Sequence, residues 1–123
     1  MKHEQITGAI IEAACKVHSH LGPGLLERPY LVCLKHEITK AGLNVISEMP
    51  VPIVYDEIIF DCAYRLDLLV EEQVIVELKA VAEVSALHKA QLLSYLRLAD
   101  KPVGLLLNFH VPSLKLGIYR IVA

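Results

Sequence analysis

The sequence lacks both a long apolar run and an excess of basic side chains. Its formal net charge is -2 with histidine neutral, so composition shows none of the basic footprint typical of proteins that coat nucleic acid. No uncharged apolar stretch approaches the roughly 18 residues of a membrane span. The N-terminal segment alternates polar and apolar residues at helical spacing, unlike a signal peptide. We therefore expect a soluble protein that is not exported and has no membrane partner.

Cysteine is also scarce. Cys15, Cys33 and Cys62 are odd in number, lie far apart and form no C-x-x-C pair. Each falls in a periodic or apolar segment, which predicts reduced core residues and a cytoplasmic location. At 123 residues and 54% hydrophobic, the chain can bury a core without disulfides or a structural metal, so residues 1–123 are expected to form a single domain.

Apolar residues at three- and four-residue steps predict an amphipathic helix over residues 3 to 19, which Gly22-Pro23-Gly24 ends. A second helix is predicted from Glu27 to Ala41, with Gly42 as its stop signal. Pro29 is compatible with this helix because it falls in the first turn, where no helical hydrogen bond is lost. The chain therefore opens with two helices.

From Asn44 onward the pattern changes to β-branched and apolar residues. The remaining predicted elements are strands over 45 to 55, 58 to 70 and 73 to 80, a helix from the N-cap Ser85 to Leu98, and strands over 103 to 109 and 114 to 122. Residues 73 to 109 are expected to form a right-handed parallel crossover. Pro50 and Pro52 favour an edge position for the first strand, and the last strand is expected at the other edge. The fold class is α/β, a mixed β-sheet flanked by helices in the order α-α-β-β-β-α-β-β.

The stretch from Arg65 to Lys79 carries the chemistry. If its hairpin is centred on Glu72, Asp67 lies opposite Glu77 with Cβ atoms about 5 Å apart. Alternation then predicts an apolar face and a polar face. The apolar face holds Leu66, Leu68, Val70, Val74, Val76 and Leu78, and the polar face holds Arg65, Asp67, Glu77 and Lys79.

Two carboxylates that face each other across strands repel unless a cation lies between them. Mg²⁺ or Mn²⁺ binds carboxylate oxygens and would readily add the carbonyl of Leu78. Lys79 lies on the same face, where it could orient a water or stabilise charge on a phosphate. The alternative is an exposed hairpin on which Glu77 and Lys79 are ordinary surface charges, because short E-x-K patterns recur by chance.

The predicted third helix places His88, Gln91 and Tyr95 on one stripe. A parallel crossover lays this helix over the strand of Glu77, so the amide of Gln91 and the hydroxyl of Tyr95 could reach the same site. The alternative, a polar stripe facing water, is equally compatible with the pattern.

Gly24-Leu-Leu-Glu27-Arg-Pro-Tyr30 resembles the G-x-x-E-x-x-Y signature of the GxxExxY protein family, a branch of the PD-(D/E)xK nuclease superfamily with a restriction-endonuclease-like fold. The resemblance continues nearly to the end of the chain. It includes the stretches D-L-L-V-E at 67 to 71, V-E-L-K-A at 76 to 80, H-x-x-Q-L-L-S-Y at 88 to 95 and L-L-L-N-F at 105 to 109.

This resemblance implies a role for each matching position. Asp67 and Glu77 look like the metal-binding acids and Lys79 like the catalytic lysine. Gln91 and Tyr95 match the Q-x-x-x-Y motif of RecB-type and lambda-exonuclease-like members. Glu27 resembles the helical acid that some of these nucleases add as a further metal ligand, and Tyr30 is expected to pack or hydrogen-bond beside it.

The leading hypothesis is a Mg²⁺- or Mn²⁺-dependent nuclease that hydrolyses phosphodiester bonds of nucleic acid, in the first place DNA. One alternative is a non-catalytic module of the same fold that binds nucleic acid or a protein. Another is a small-molecule phosphoesterase, which a basic groove would argue against. Candidates for that groove are Lys16, Arg28, Lys35, Lys89, Arg97 and Lys101. A homodimer is also expected, because the subunit is small and its last strand leaves an exposed edge.

Overall fold

The structure is a computed structural model that describes the backbone of residues 1–123 and all side chains except those of residues 62 and 63. Its helices are α1 (His3–Leu21), α2 (Glu27–Lys40) and α3 (Ala86–Ala99). Its strands are β1 (Val45–Tyr55), β2 (Ile58–Val70), β3 (Val74–Lys79), β4 (Val103–Asn108) and β5 (Ile118–Val122). The predicted order of elements is confirmed.

The five strands form one sheet in the order β1-β2-β3-β4-β5. Only the pairing of β3 with β4 is parallel, and the crossover between these strands contains α3. Strands β1 and β5 occupy the edges, as predicted. The positive φ of Gly22 follows the end of α1, and that of Gly42 follows the end of α2, as is common at helix C-termini.

The last strand is shorter than predicted. Residues Leu114–Gly117 form one turn of 3-10 helix, and β5 begins at Ile118. Leu114 is buried in the core beneath α1 and α2. At Gly117 the chain comes so close to the carbonyl of Asn108 that a Cβ would collide with it. The alternating sequence pattern cannot predict this long-range contact.

Helices cover both faces of the sheet. On one face, α1 and α2 pack through Ile10, Tyr30 and Leu34 onto a core that includes Leu68 and Leu78. On the other face, which we call the α3 face, Leu92, Tyr95 and Leu96 pack onto Val51, Leu69, Ile75 and Leu106. This layered mixed sheet is a restriction-endonuclease-like fold. In the part of the chain that the structure describes, no helix has the length and apolarity needed to cross a membrane.

The cysteine prediction is wrong for Cys15, which is exposed on α1, whereas Cys33 is half-buried against the core. Cys15 follows the buried Ala14 on a helix whose inward positions are already occupied by other residues. The side chain of Cys62 lies outside the described residues.

Candidate active site

The predicted register of the β2-β3 hairpin is confirmed. Leu68 pairs with Val76, and Val70 pairs with Val74 across a turn in which Glu71 and Glu72 have positive φ. The next opposed positions are Asp67 and Glu77. There the side chains bond to the facing backbone: Asp67 N–H donates to Glu77 Oε1 at 3.1 Å, and Leu78 N–H donates to Asp67 Oδ2 at 2.8 Å. The two carboxyl groups are thus held beside each other where β2 and β3 separate.

Burial and mutual repulsion dominate the electrostatics of this pair. Glu77 is only 7% exposed, and its pKa is raised to about 9, first because burial disfavours the charged form and then because of the negative charge of Asp67. The nearby cation of Lys79 acts in the opposite direction as a smaller influence. A positive ion beside the two carboxyl groups would oppose this shift, because it would favour the charged form of Glu77.

Lys79 is the last residue of β3 and is half-buried. Its carbonyl oxygen accepts a hydrogen bond from Phe109 N–H at 2.9 Å, which joins it to the segment after β4. None of the ion pairs formed by the described side chains includes Lys79. The ammonium group therefore lies near Glu77 without being neutralised by a direct carboxylate contact.

The backbone of Leu78 faces the gap between β2 and β3. In a β-strand the N–H and C=O of one residue point to the same side, and adjacent residues point to opposite sides. Lys79 bonds toward β4, whereas Leu78 N–H bonds to Asp67 on the β2 side. The carbonyl of Leu78 is consequently directed toward the gap that holds the two carboxyl groups.

Tyr95 borders the carboxyl pair from α3. It is 6% exposed, and its ring centroid lies 5.2 Å from that of Tyr64. Its pKa is raised to about 12, mainly by burial and then by the negative charge of Glu77. The alternative of a stripe facing water is therefore wrong for Tyr95. Gln91, one turn earlier on α3, is half-buried.

His88 does not join Tyr95 at the carboxyl pair. Its backbone N–H donates to Ser85 Oγ, while its ring Nδ1 accepts from Ser85 N–H, so the two residues form the N-terminal cap of α3. Ser85 is the predicted N-cap.

The structure does not bring Glu27 to the carboxyl pair. Glu27 is exposed in the first turn of α2, and among the described side chains no three His, Cys, Asp or Glu residues are grouped as a metal site. Tyr30 packs as predicted: its ring stacks on Phe109 at 4.4 Å and its hydroxyl donates to the Gly22 carbonyl. The N-terminus of α2 is thus fixed by Tyr30 rather than by Glu27.

The predicted alternation of β2 fails next to Asp67. Leu66 packs on the α3 face, whereas Leu68 belongs to the core beneath α1 and α2. Opposite Asp67, between the pairs Ser47↔Leu68 and Met49↔Leu66, Glu48 has a positive φ of 56°. This irregularity lets the Asp67 side chain enter the gap between β2 and β3.

The same irregularity changes the environment of Arg65. Because Tyr64 and Leu66 both contact residues of the α3 face, Arg65 between them points away from that face, toward the carboxylate of Glu48. Its predicted grouping with Asp67, Glu77 and Lys79 is therefore wrong.

The basic residues proposed for a groove do not converge. Lys16 pairs with Glu37, Arg28 with Glu48, and Lys35 Nζ donates to Ser47, all on the side of α1 and α2. On the α3 face, Lys89 Nζ lies 4.5 Å from the centre of the Tyr119 ring. The two histidines that end α1 also differ: His18 Nε2 bonds with the Val111 carbonyl at 2.8 Å, whereas His20 is exposed.

Sequence reasoning missed Asn108, the buried last residue of β4 that pairs with Lys79. Its Oδ1 accepts from the N–H groups of Val81 and His110, and its Nδ2 donates to the Val81 carbonyl. Asn108 thereby holds the chain two residues beyond Lys79. The available signal was a polar residue at the end of an otherwise apolar run.

Asn108→Ala is expected to destabilise the protein by about 2 kcal/mol, because it leaves three backbone groups without their partner. Urea denaturation measures this loss. Asn44→Ala is the matched control: Asn44 is exposed, so its replacement is expected to cost less than about 0.5 kcal/mol. Equal losses in both variants would contradict the role of the Asn108 side chain.

Comparison with known proteins identifies the family of the chain. A family model described as the PD-(D/E)XK nuclease superfamily matches residues 4–121. No curated protein and no solved structure matches the chain.

Proposed function

The chain belongs to the PD-(D/E)XK nuclease superfamily, and on this premise we propose that it is a divalent-metal-dependent nuclease hydrolysing phosphodiester bonds of nucleic acid. One observation carries the proposal: the buried Glu77 and the half-buried Asp67 lie side by side, with Lys79 near them. Glu77-Leu78-Lys79 is this chain's (D/E)-x-K sequence.

The proposed metal ligands are Asp67, Glu77 and the carbonyl of Leu78. All are oxygen donors, the kind that Mg²⁺ and Mn²⁺ prefer. The raised pKa of Glu77 supports this fit, because burial and the adjacent Asp67 both disfavour its negative charge, and a bound cation would favour that charge. When bound, the ion would activate a water and neutralise charge on the phosphate. Glu27 stays a prediction from the resemblance alone.

The other residues have separate proposed roles. Lys79 stabilises the charge that develops on the phosphate, because its ammonium is close to the acids but has no direct carboxylate partner. Tyr95 and Gln91 contact the substrate or the water network from α3. The burial of Tyr95 beside Glu77 supports the role proposed for Tyr95. A helix that runs antiparallel to β3 places Gln91 nearer to the Lys79 end of the strand than Tyr95.

We further propose that residues 1–123 form a single nuclease-like domain of the GxxExxY family in its RecB-like branch. Its partner would be nucleic acid, with DNA as the first substrate to test. The exposed free thiol of Cys15 supports a cytoplasmic location, where thiols stay reduced. We also propose a homodimer.

A cleavage assay tests the nuclease proposal. The purified protein is incubated with labelled single- and double-stranded DNA and RNA over a titration of Mg²⁺ or Mn²⁺. Metal-dependent cleavage that EDTA abolishes is expected. Metal binding without cleavage of any substrate would favour a catalytically silent module. Cleavage of bis(p-nitrophenyl) phosphate but of no polynucleotide would favour a small-molecule phosphoesterase.

A further inference from the structure

A two-stranded arm extends beyond the rest of the sheet. Strand β2 pairs with β3 from Leu68 to Val70, whereas its pairing with β1 continues outward to Tyr55↔Ile58. The β1-β2 register shifts between Val51 and Ile53, which separates the outer hairpin from the sheet. We call residues 53–60 the arm. An isolated two-stranded hairpin is only marginally stable in water, so a covering surface would stabilise it.

The arm is apolar on both faces. Five of its side chains are between 61% and 74% exposed: Val54, Tyr55, Ile58, Ile59 and Phe60. On one face, a groove of about 350 Å³ is lined by Ile53, Tyr55, Ile58, Phe60 and Tyr64. Contiguous apolar surface of this kind is uncommon on monomers and marks contact sites.

The charge of the arm restricts what it can bind. Its tip carries Asp56 and Glu57, Asp61 follows it directly, and residues 53–61 contain no basic side chain. A polynucleotide backbone or an anionic membrane would be repelled, because both carry negative charge. The arm therefore fits a protein surface that is apolar and basic.

The outer face of α3 on this same chain has that chemistry. Exposed residues recur there at three- and four-residue steps: Leu87, Ala90, Ser94 and Leu98. Arg97 and Lys101 flank Leu98, and residues 86–101 carry three basic side chains, counting Lys89, against one acidic side chain, Asp100. The small residues Ala90 and Ser94 leave room for a strand to approach.

The base of the arm lies next to α3, as the contact between Tyr64 and Tyr95 shows. When two complementary surfaces lie next to each other on one subunit, a two-fold rotation can place each of them against its complement on the second subunit. The two arm-helix contacts then form together. We propose that this protein forms a two-fold dimer in which the arm of each subunit packs across the outer face of α3 of the other. This proposal does not depend on nuclease activity.

Charge reversal on either surface tests the dimer, with molar mass measured by sedimentation equilibrium. The wild type is expected to be dimeric at micromolar concentration. Asp56→Lys with Glu57→Lys, and separately Arg97→Glu with Lys101→Glu, should each raise the dimer Kd by about tenfold or more, because each places like charges opposite each other. Circular dichroism verifies that each variant is folded.

Mixing the two double variants provides the rescue. In the mixed dimer both arm-helix contacts again join opposite charges, so an equimolar mixture should dimerise although each variant alone is weakened. The matched control, Lys115→Glu with Arg120→Glu, reverses two exposed basic residues, one in the 3-10 turn before β5 and one in β5, and should leave the dimer unchanged.

Four outcomes would overturn the proposal: a wild type that stays monomeric up to about 100 µM, reversal variants as dimeric as the wild type, no rescue on mixing, or dissociation caused by the β5 control. Binding of single-stranded oligonucleotide that Phe60→Ala abolishes, in a protein that remains monomeric, would replace this proposal by a base-stacking one.

Discussion

Lys79→Ala is expected to lower the rate of phosphodiester cleavage by about 10²- to 10³-fold, the loss typical of removing one group that stabilises transition-state charge. Mn²⁺ affinity should change by less than about threefold, because the proposed ligands are oxygens of other residues. Single-turnover cleavage measures the rate, and isothermal titration calorimetry measures the metal affinity. This combination separates loss of a catalytic charge from loss of the metal site.

Two further variants make the Lys79 result interpretable. Lys35→Ala removes a lysine that is also half-buried but lies on the α2 side, bonded to Ser47, and should leave cleavage unchanged. Gln91→Ala should reduce turnover more mildly, with stability changed by less than about 1 kcal/mol. If Lys79→Ala cleaves as fast as wild type, the lysine has no part in the chemistry. If Lys79→Ala loses both cleavage and metal binding, the role of the lysine is to hold the metal site together.

Most of the framework of the site can be predicted from local sequence. Hairpin register follows from the turn at Glu71-Glu72, and register alone sets Asp67 opposite Glu77. The N-cap at Ser85 fixes the start of α3 and hence the turn that carries Tyr95. These features depend on residues close together in the chain, so patterns of a few residues are sufficient to predict them.

The remainder depends on contacts between distant segments. Glu48 adopts a positive φ beside Asp67, which reverses the alternation that local sequence predicts for Leu66. Asn108 bonds across to Val81, and Gly117 approaches Asn108. None of these residues has a local signal that specifies its partner, so the alternating pattern led to the wrong start for β5 and the wrong environment for Arg65.

Burial of Glu77 is also a tertiary effect. An isolated hairpin would leave Glu77 hydrated, and the alternative of ordinary surface charges was open for that reason. Packing of α3 covers this part of the sheet, so Glu77 is buried and its pKa is raised. The sequence predicted which acids meet, whereas the strength of their interaction follows from the helix above them.

The double variant Asp67→Asn, Glu77→Gln is expected to be more stable than the metal-free wild type by on the order of 2 kcal/mol at pH 7. Both replacements keep a side-chain oxygen, so the hydrogen bonds from the backbone N–H groups of Asp67 and Leu78 can still form when the two acids become amides. At pH 7 the metal-free wild type must take up a proton at Glu77 when it folds, because the pKa of this carboxyl is about 9 in the folded protein. The amides of the double variant are neutral in both the folded and the unfolded protein, so they avoid this cost. Urea denaturation in EDTA measures the gain.

The direction of the pH dependence follows from the raised pKa of Glu77. The folded protein binds a proton at Glu77 more strongly than the unfolded chain does, so its stabilising effect is complete below pH 4.5 and is lost as the pH rises to about 9. Metal-free wild type should therefore lose stability over this window, and the double variant should lose less.

The response to metal completes the test of the acid pair. Mn²⁺ should raise the Tm of the wild type but not that of the double variant, because only the wild type has carboxylates for the ion to bridge. Glu72→Gln with Asp100→Asn, two exposed acids, is the control and should keep the metal response. A double variant that responds to Mn²⁺ like the wild type would show that the ion binds elsewhere, and the proposed site would then lose its main physical support.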